Sequence, residues 1–342
     1  MSQKRPAIRA IASHLPEIAV TNDQLAGEWG SEWPAAKILA KTGIAVRYQA
    51  ADGECASDLA VKAALKLIEN GACTAGEIDF LLLCTQTPDY ILPPTACLLQ
   101  DRLGLKTSCG ALDINLGCSG FLYGLAMAKS LVASSTCRNV LLITADTYTK
   151  LVNRRDRSVR TLFGDGAAAT LISAVDVDCE PIGPFVFGTD GKGARHLMVP
   201  AGGMRTPITP EAVVEKDVEG GNRRSASNLF MNGAEIFNFT LRAVPEAVRE
   251  ILAKSGMTMQ DVDYFVFHQA SKFMLDHLRA KLGIPENKFC LDLENGGNTV
   301  STTIPLALER AKASGRVKVG DRVMLVGFGV GLSWAATIIT IT

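Results

Sequence analysis

The sequence predicts an α/β fold made of two copies of one unit, and three observations carry that expectation. Strand-like apolar runs alternate with helix-like stretches along the chain, the pattern of sheets covered by helices. Four segments of the first half return in the second half, in the same order and roughly half a chain apart. Three polar or Gly-rich turns each follow a predicted strand, which is where open α/β sheets place ligand sites. The two halves are expected at residues 1–175 and 176–342.

The elements follow in order. EIDFLLLCTQT (77–87) begins acidic, passes through a buried-strand run and ends in a polar turn, and DVDYFVFHQAS (261–271) does the same. LQDRLGL (99–105) reads like LRAKLGI (278–284). ALDINLGCSG (111–120) and CLDLENGGNT (290–299) each read as a short strand ending in a Gly-rich turn. SGFLYGLAMAKSLVAS (119–134) has so few charges that its helix is expected to be buried. RNVLLITAD (138–146) matches DRVMLVGFG (321–329). Any two α/β stretches share some of this grammar, but four matches in one order weigh against coincidence. Residues 188–232 are polar, rich in Gly and Pro, and too long for a simple connection, so they read as a lid or pocket wall.

Bulk composition narrows the function classes. The chain has 342 residues, 47% hydrophobic and 20% charged, enough to bury a substantial core. Lys+Arg and Asp+Glu are equal at 35 each, so no polyanion partner such as nucleic acid is implied. Nine scattered cysteines, odd in number and without a C-x-x-C pair, speak against a disulfide framework and against zinc. They fit a reducing cytoplasm. The start, MSQKRPAIRAIASHLPE, has no long apolar core, so no secretory signal is expected. No run of about 18 apolar residues suggests a membrane span.

Three residues stand at the ends of predicted strands. Cys118 lies between a strand and an apolar helix, flanked by glycines that allow a sharp turn and the approach of a substrate. A thiol at a helix N-terminus is expected to favour the thiolate, the nucleophile suited to thioester exchange. The alternative is a buried structural cysteine, and Cys84, Cys97, Cys109 and Cys290, all in apolar runs, fit that description better. His268 follows YFVF and is placed to exchange a proton in a dry pocket, the alternative being a satisfied core histidine. Of the other three histidines, His277 reads as surface, near Lys272 and Arg279. Asn298, in ENGGNTVSTTIP, has helix capping as its alternative.

The ordered set resembles a β-ketoacyl-ACP synthase III of the thiolase superfamily along nearly the whole chain. The matching pieces are TGIAVR (42–47), LPPTAC (92–97), DINLGCSG (113–120), FGDGAAA (163–169), FHQAS (267–271), GGNTVS (296–301) and GFGVGLSW (327–334). The resemblance implies a thiolase-like five-layer αβαβα fold and a homodimer. It implies that Cys118 is acylated by an acyl-CoA, and that a malonyl thioester on acyl carrier protein then loses CO2. His268 and Asn298 would hold the enolate oxygen, and backbone amides of Cys118, Gly329, Val330 and Gly331 the acyl oxyanion. No metal or other cofactor is implied. A second cysteine near the C-terminus, expected of biosynthetic and degradative thiolases, is absent after Cys290.

The resemblance extends to the cavity mouth with departures. Trp33 and Arg157 match the pair that sandwiches the CoA adenine, and Ser271 stands where the pattern has asparagine. Asn238 replaces a lysine, Phe273 an arginine and Lys41 a frequent arginine, so the basic residues that hold a carrier are partly missing. Val330 alters the usual Gly-rich turn. Arg154, Arg155 and Arg160 add charge beside Arg157, equally readable as a solvated face. Leu92, Phe163 and Leu229 are candidates for the acyl pocket, with Phe230 and Met231 beside Leu229, and Leu92 reaches across the dimer in the pattern. Two other functions remain compatible: acyl transfer to an alcohol or amine, and a non-catalytic partner subunit.

Overall fold

FLLLC (80–84) and VLLITA (140–145) are almost wholly apolar, so neither face of such a strand can stay in water. The computed structural model describes residues 3–30 and 32–342 and places both runs inside a sheet covered on both faces by helices. In chain order the strands are β1 (Gln3–His14), β2 (Ile18–Thr21), β3 (Val46–Gln49), β4 (Phe80–Cys84), β5 (Gly110–Ile114), β6 (Asn139–Asp146), β7 (Gly166–Val177) and β8 (Ile182–Thr189). They continue as β9 (Leu197–Met198), β10 (Lys216–Val218), β11 (Asn222–Arg224), β12 (Phe230–Met231), β13 (Tyr264–Phe267), β14 (Asn295–Gly296), β15 (Arg322–Gly329) and β16 (Ser333–Thr340). The helices are α1 (Asn22–Trp29), α2 (Ala35–Thr42), α3 (Ala56–Glu69), α4 (Thr95–Arg102), α5 (Gly120–Ala133), α6 (Arg157–Arg160), α7 (Gly233–Ser255), α8 (Lys272–Leu282) and α9 (Thr303–Ala313).

Two sheets repeat one topology. The first has the order β1-β7-β6-β4-β5 and the second, read in the same sense, β8-β16-β15-β13. Their pairings match step for step: two antiparallel pairs, then a parallel one, β6 with β4 and β15 with β13. Helices α3 and α4 cover the outer face of the first sheet, and α7 packs on the outer face of the second with α8 beside it. Helices α5 and α9 lie between the sheets, completing five layers. The expected buried helix is α5, whose Phe121, Leu122, Leu125 and Ala128 are fully enclosed. Its one charge, Lys129, reaches the edge of the layer, where Nζ donates to Ile182 O (2.5 Å) and Gly183 O (3.1 Å). β7 runs two residues past the expected boundary at 175.

Two expectations fail here. The strand expected at CLDLE does not form. Phe289 makes a single parallel bridge to Phe265, and Cys290 N–H donates to Phe265 O (2.9 Å). The backbone then leaves the sheet, because other partners satisfy it: Asp292 N–H donates to Gln269 Oε1 (2.7 Å), and Glu294 O accepts from Ala45 and Val46 N–H. Cys97 is exposed rather than buried, because on α4 its neighbours Ala96 and Leu99 take the inward face. Residues 188–232 do form a wall. β9 pairs with β12, β10 with β11, and Leu197 and Met231 face the cavity described next. Among the described residues, no helix is long and apolar enough to cross a membrane.

Candidate active site

Cys118, His268 and Asn298 line one cavity of about 620 Å³, which opens past Trp33, Lys41, Arg157 and Phe273. All three are nearly buried, at 5%, 2% and 5% exposure, so each polar atom there acts against little competing water.

Cys118 lies one residue outside Ser119, the N-cap of α5. Gly329 passes directly over it: a Cβ at that position would stand 2.8 Å from Sγ, so only glycine admits the thiol. Burial pushes the thiol pKa up to about 12; the backbone amides of Val330 and of Cys118 itself act downward, and the Asp146 charge upward. The resting thiolate expected from the helix end is therefore overruled by desolvation. The turn that aims the Val330 amide is itself tied down. Ser333 Oγ donates to Val330 O (2.8 Å) and accepts from Ser119 Oγ (2.7 Å). Gly329 thus contributes space, while Gly331 leads the chain to Leu332, whose N–H and C=O pair with Asp190 (3.2 and 2.9 Å). Beneath the site, the buried Asp146 accepts from Gln86 N–H (2.8 Å) and Ser301 Oγ (2.9 Å), joining the loops before Cys118 and after Asn298. Burial raises its pKa to about 7.

His268 is the first residue past β13, and its N–H continues the ladder to Val326 O (2.8 Å). Its ring stands edge-on to Phe328 at 5.5 Å, and Nδ1 lies 2.7 Å from Thr303 Oγ1. Burial drops the imidazole pKa to about 3, so the ring is neutral at neutral pH. Asn298 is pinned beside Phe163: its N–H donates to Leu162 O (2.9 Å) and its C=O accepts from Gly164 N–H (3.0 Å). Gly297 makes this approach possible with φ +72°, and a Cβ there would meet Leu162 O at 2.9 Å. Asn298 Oδ1 accepts from Val300 N–H (3.0 Å). Val300 holds φ +56°, rare for a β-branched residue, to make that bond. The capping alternative fails, since Thr302 stands at the N-cap of α9 and Asn298 caps no helix; its Oδ1 serves a local turn, and the amide nitrogen is left to face the cavity.

The remaining predicted residues divide. Phe163, Trp33, Arg157 and Ser271 line the cavity. Arg157 lies 5.5 Å from the Trp33 ring and donates to Gly220 O (3.1 Å) and Gly221 O (2.6 Å), which fixes its approach. Lys37 and Lys41 each bring an ammonium to 5.0 Å from the same ring, and Lys37 is a residue the sequence reading missed. Ser271 caps α8, accepting from Met274 N–H (3.3 Å). Leu229 is buried beside the cavity without lining it, and Met231, two residues on, lines it instead. Leu92 is 78% exposed and lies outside the cavity wall of its own chain. Ile236 and Phe237 from α7 and Phe273 and Met274 from α8 complete the apolar wall. The helical spacing of the α7 apolar residues carried that signal, which the reading of the sequence passed over.

Comparison with known proteins agrees with this arrangement. The family described as 3-oxoacyl-[acyl-carrier-protein (ACP)] synthase III matches residues 112–191, and its C-terminal part matches residues 252–341. A β-ketoacyl-[acyl-carrier-protein] synthase III from Caldanaerobacter subterraneus subsp. tengcongensis is 36% identical, over 97% of this chain and 96% of that one. A 3-oxoacyl-(acyl-carrier-protein) synthase III crystal structure superposes with TM-score 0.97 at 54% identity, covering 98% of this chain and 100% of that one. A 3-oxoacyl-(acyl-carrier protein) synthase from Burkholderia xenovorans LB400 gives 0.90 at 36% identity, covering 100% and 95%. With two sheets in five layers, the cysteine, histidine and asparagine in one cavity, and relatives matched over nearly their full length, this chain belongs to the 3-oxoacyl-[acyl-carrier-protein] synthase III family.

Proposed function

We propose that this protein is a condensing enzyme of fatty-acid biosynthesis that joins an acyl-CoA to a malonyl thioester carried on acyl carrier protein. The supporting observation is the convergence of Cys118, His268 and Asn298 on one largely apolar cavity. The Cys118 sulfur attacks the acyl carbonyl, the Val330 and Cys118 amides receive the developing oxyanion, and CoA leaves as the thiol with the proton that Cys118 gives up. The malonyl thioester then enters and its C–CO2 bond breaks. The electron pair passes into an enolate whose oxygen is met by His268 Nε2–H and the Asn298 amide. The enolate carbon forms a C–C bond to the acyl carbonyl, the C–S bond to Cys118 breaks, and the sulfur takes up a proton from water. The sequence of steps calls on no metal or redox group.

Trp33 and Arg157 take the adenine, and Lys37 and Lys41, whose ammonium groups stand beside the Trp33 ring, supply positive charge for the nucleotide's phosphates. Leu92 closes the acyl pocket of a partner subunit in a homodimer, which accounts for a leucine left 78% exposed on a Pro-stiffened loop. The reading is tested by intact mass after incubation with acyl-CoA, followed by CO2 release from malonyl thioester. A missing acyl adduct refutes the enzyme, and an adduct without CO2 release refutes condensation.

A further inference from the structure

Thr303 is the polar partner that the structure gives to the ring of His268. Its hydroxyl is buried at 2% exposure, 2.7 Å from Nδ1 and 3.1 Å from the carbonyl of Val300. A threonine hydroxyl carries one proton, so it donates to only one of these two acceptors. If it donates to Val300 O, Nδ1 must carry the imidazole proton and donate to Thr303, and Nε2 presents a lone pair to the cavity. If it donates to Nδ1, the proton of the neutral ring stands on Nε2. In both arrangements the ring edge left for the cavity bears Nε2, and only the second gives it the N–H that the enolate-donor role requires. Burial alone accounts for the neutral ring.

We infer that Thr303 is a positioning residue that donates its hydroxyl proton to His268 Nδ1 and so holds the proton of the imidazole on Nε2, facing the reacting thioester. This rests on the enolate-donor role proposed for His268. It extends that role to a residue that touches no substrate and acts only through the ring. The 298–303 turn then sets both donors. Val300 N–H occupies Asn298 Oδ1 and leaves the amide N–H groups outward, and Thr303 occupies Nδ1 and leaves Nε2–H outward.

The test has two arms. The first is the ¹⁵N spectrum of the wild-type enzyme labelled at its four histidines, with the His268 signals identified by their loss in His268→Gln. Nδ1 is expected in the unprotonated, pyridine-like form and Nε2 in the protonated, pyrrole-like form; the opposite pattern overturns the inference. The second is Thr303→Val, which keeps the shape and removes the hydroxyl. Acylation of Cys118 and KM for the malonyl thioester are expected to stay within about 2-fold. kcat for decarboxylation is expected to fall at least about 5-fold, the worth of one hydrogen bond, and by less than the roughly 10²–10³-fold of a whole oxyanion donor. Thr303→Ser should restore it. A smaller fall in the valine variant, or no recovery in the serine one, overturns the inference. The arms also separate this inference from the reading beneath it. Normal malonyl turnover in His268→Ala refutes the donor role whatever the spectrum shows, whereas lost turnover together with an Nδ1–H spectrum refutes only the part given to Thr303.

Discussion

Alkylation of Cys118 should lack the low-pH plateau of an activated thiolate. Burial lifts the thiol to about 12, a rise worth about 4 kcal/mol against ionisation. The N-terminus of α5 opposes this by at most about 2 kcal/mol, roughly one and a half pH units. The apparent pKa should therefore stay above about 10, and at pH 7 fewer than about one site in 10³ is ionised. The perturbation is pH itself, with iodoacetamide as the probe and peptide mass spectrometry to resolve Cys118 from the other eight cysteines. The logarithm of the rate should climb about one unit per pH unit from 7 to 9.5 without levelling. The same linkage reaches stability: a folded pKa above the unfolded one leaves stability intact below about 8.5 and removes it as pH rises toward 12. A plateau with a midpoint below about 8.5 would show that the dipole and the two amides outweigh desolvation, and the account of a neutral resting thiol would fail.

Other outcomes follow from the same geometry. Cys118→Ser should give no acyl adduct with acyl-CoA, and an adduct of wild-type yield would place the nucleophile on another cysteine. His268→Ala and Asn298→Ala should keep the adduct and lose about 10²–10³ in malonyl decarboxylation, a loss that fails if both turn over within a few-fold of wild type. Asp146 is raised to about 7, so its contribution to stability is complete below about pH 4 and disappears as pH climbs through 7. Asp146→Asn should remove that part of the slope in urea midpoints between pH 4 and 7. His268, held neutral by burial, acts in the opposite sense there, so the difference between wild type and variant is the decisive quantity, and equal slopes would contradict the shift. Leu92→Trp should lower acyl-enzyme yield for C8 donors more than for C2; an unchanged C2, C4 and C8 profile would remove Leu92 from the pocket.

Much of the fold was legible because burial leaves marks in composition. A helix such as α5, enclosed between two sheets, cannot carry charge along its length, and SGFLYGLAMAKSLVAS has one lysine. A central strand covered on both faces cannot alternate, and FLLLC does not. The duplication was legible because the same layers make the same demands twice. What failed were places where a neighbour distant in sequence decides. CLDLE has the strand pattern, but Gln269, Ala45 and Val46 supply its hydrogen bonds from outside the ladder, and nothing in the local sequence announces them.

The candidate site divides along the same line. Which residues stand at strand ends is local, so Cys118, His268 and Asn298 were visible as types and positions. Their protonation states are set by what encloses them, and that is tertiary. The helix end argued for a thiolate from local geometry alone, yet Gly329 and Val330, more than two hundred residues further on, close over the thiol and make burial the larger effect. The neutral ring of His268 has the same origin, since desolvation without a charged partner lowers its pKa. A site that desolvates its nucleophile and its donor together keeps both uncharged at rest. Charge then arises only during reaction, on the acyl oxygen and the enolate oxygen, where fixed N–H groups meet it in a medium that screens little. The acids lie below: Asp146 is tied to Gln86 and Ser301 rather than facing substrate, so the cavity keeps donors on its walls and its acceptors turned away.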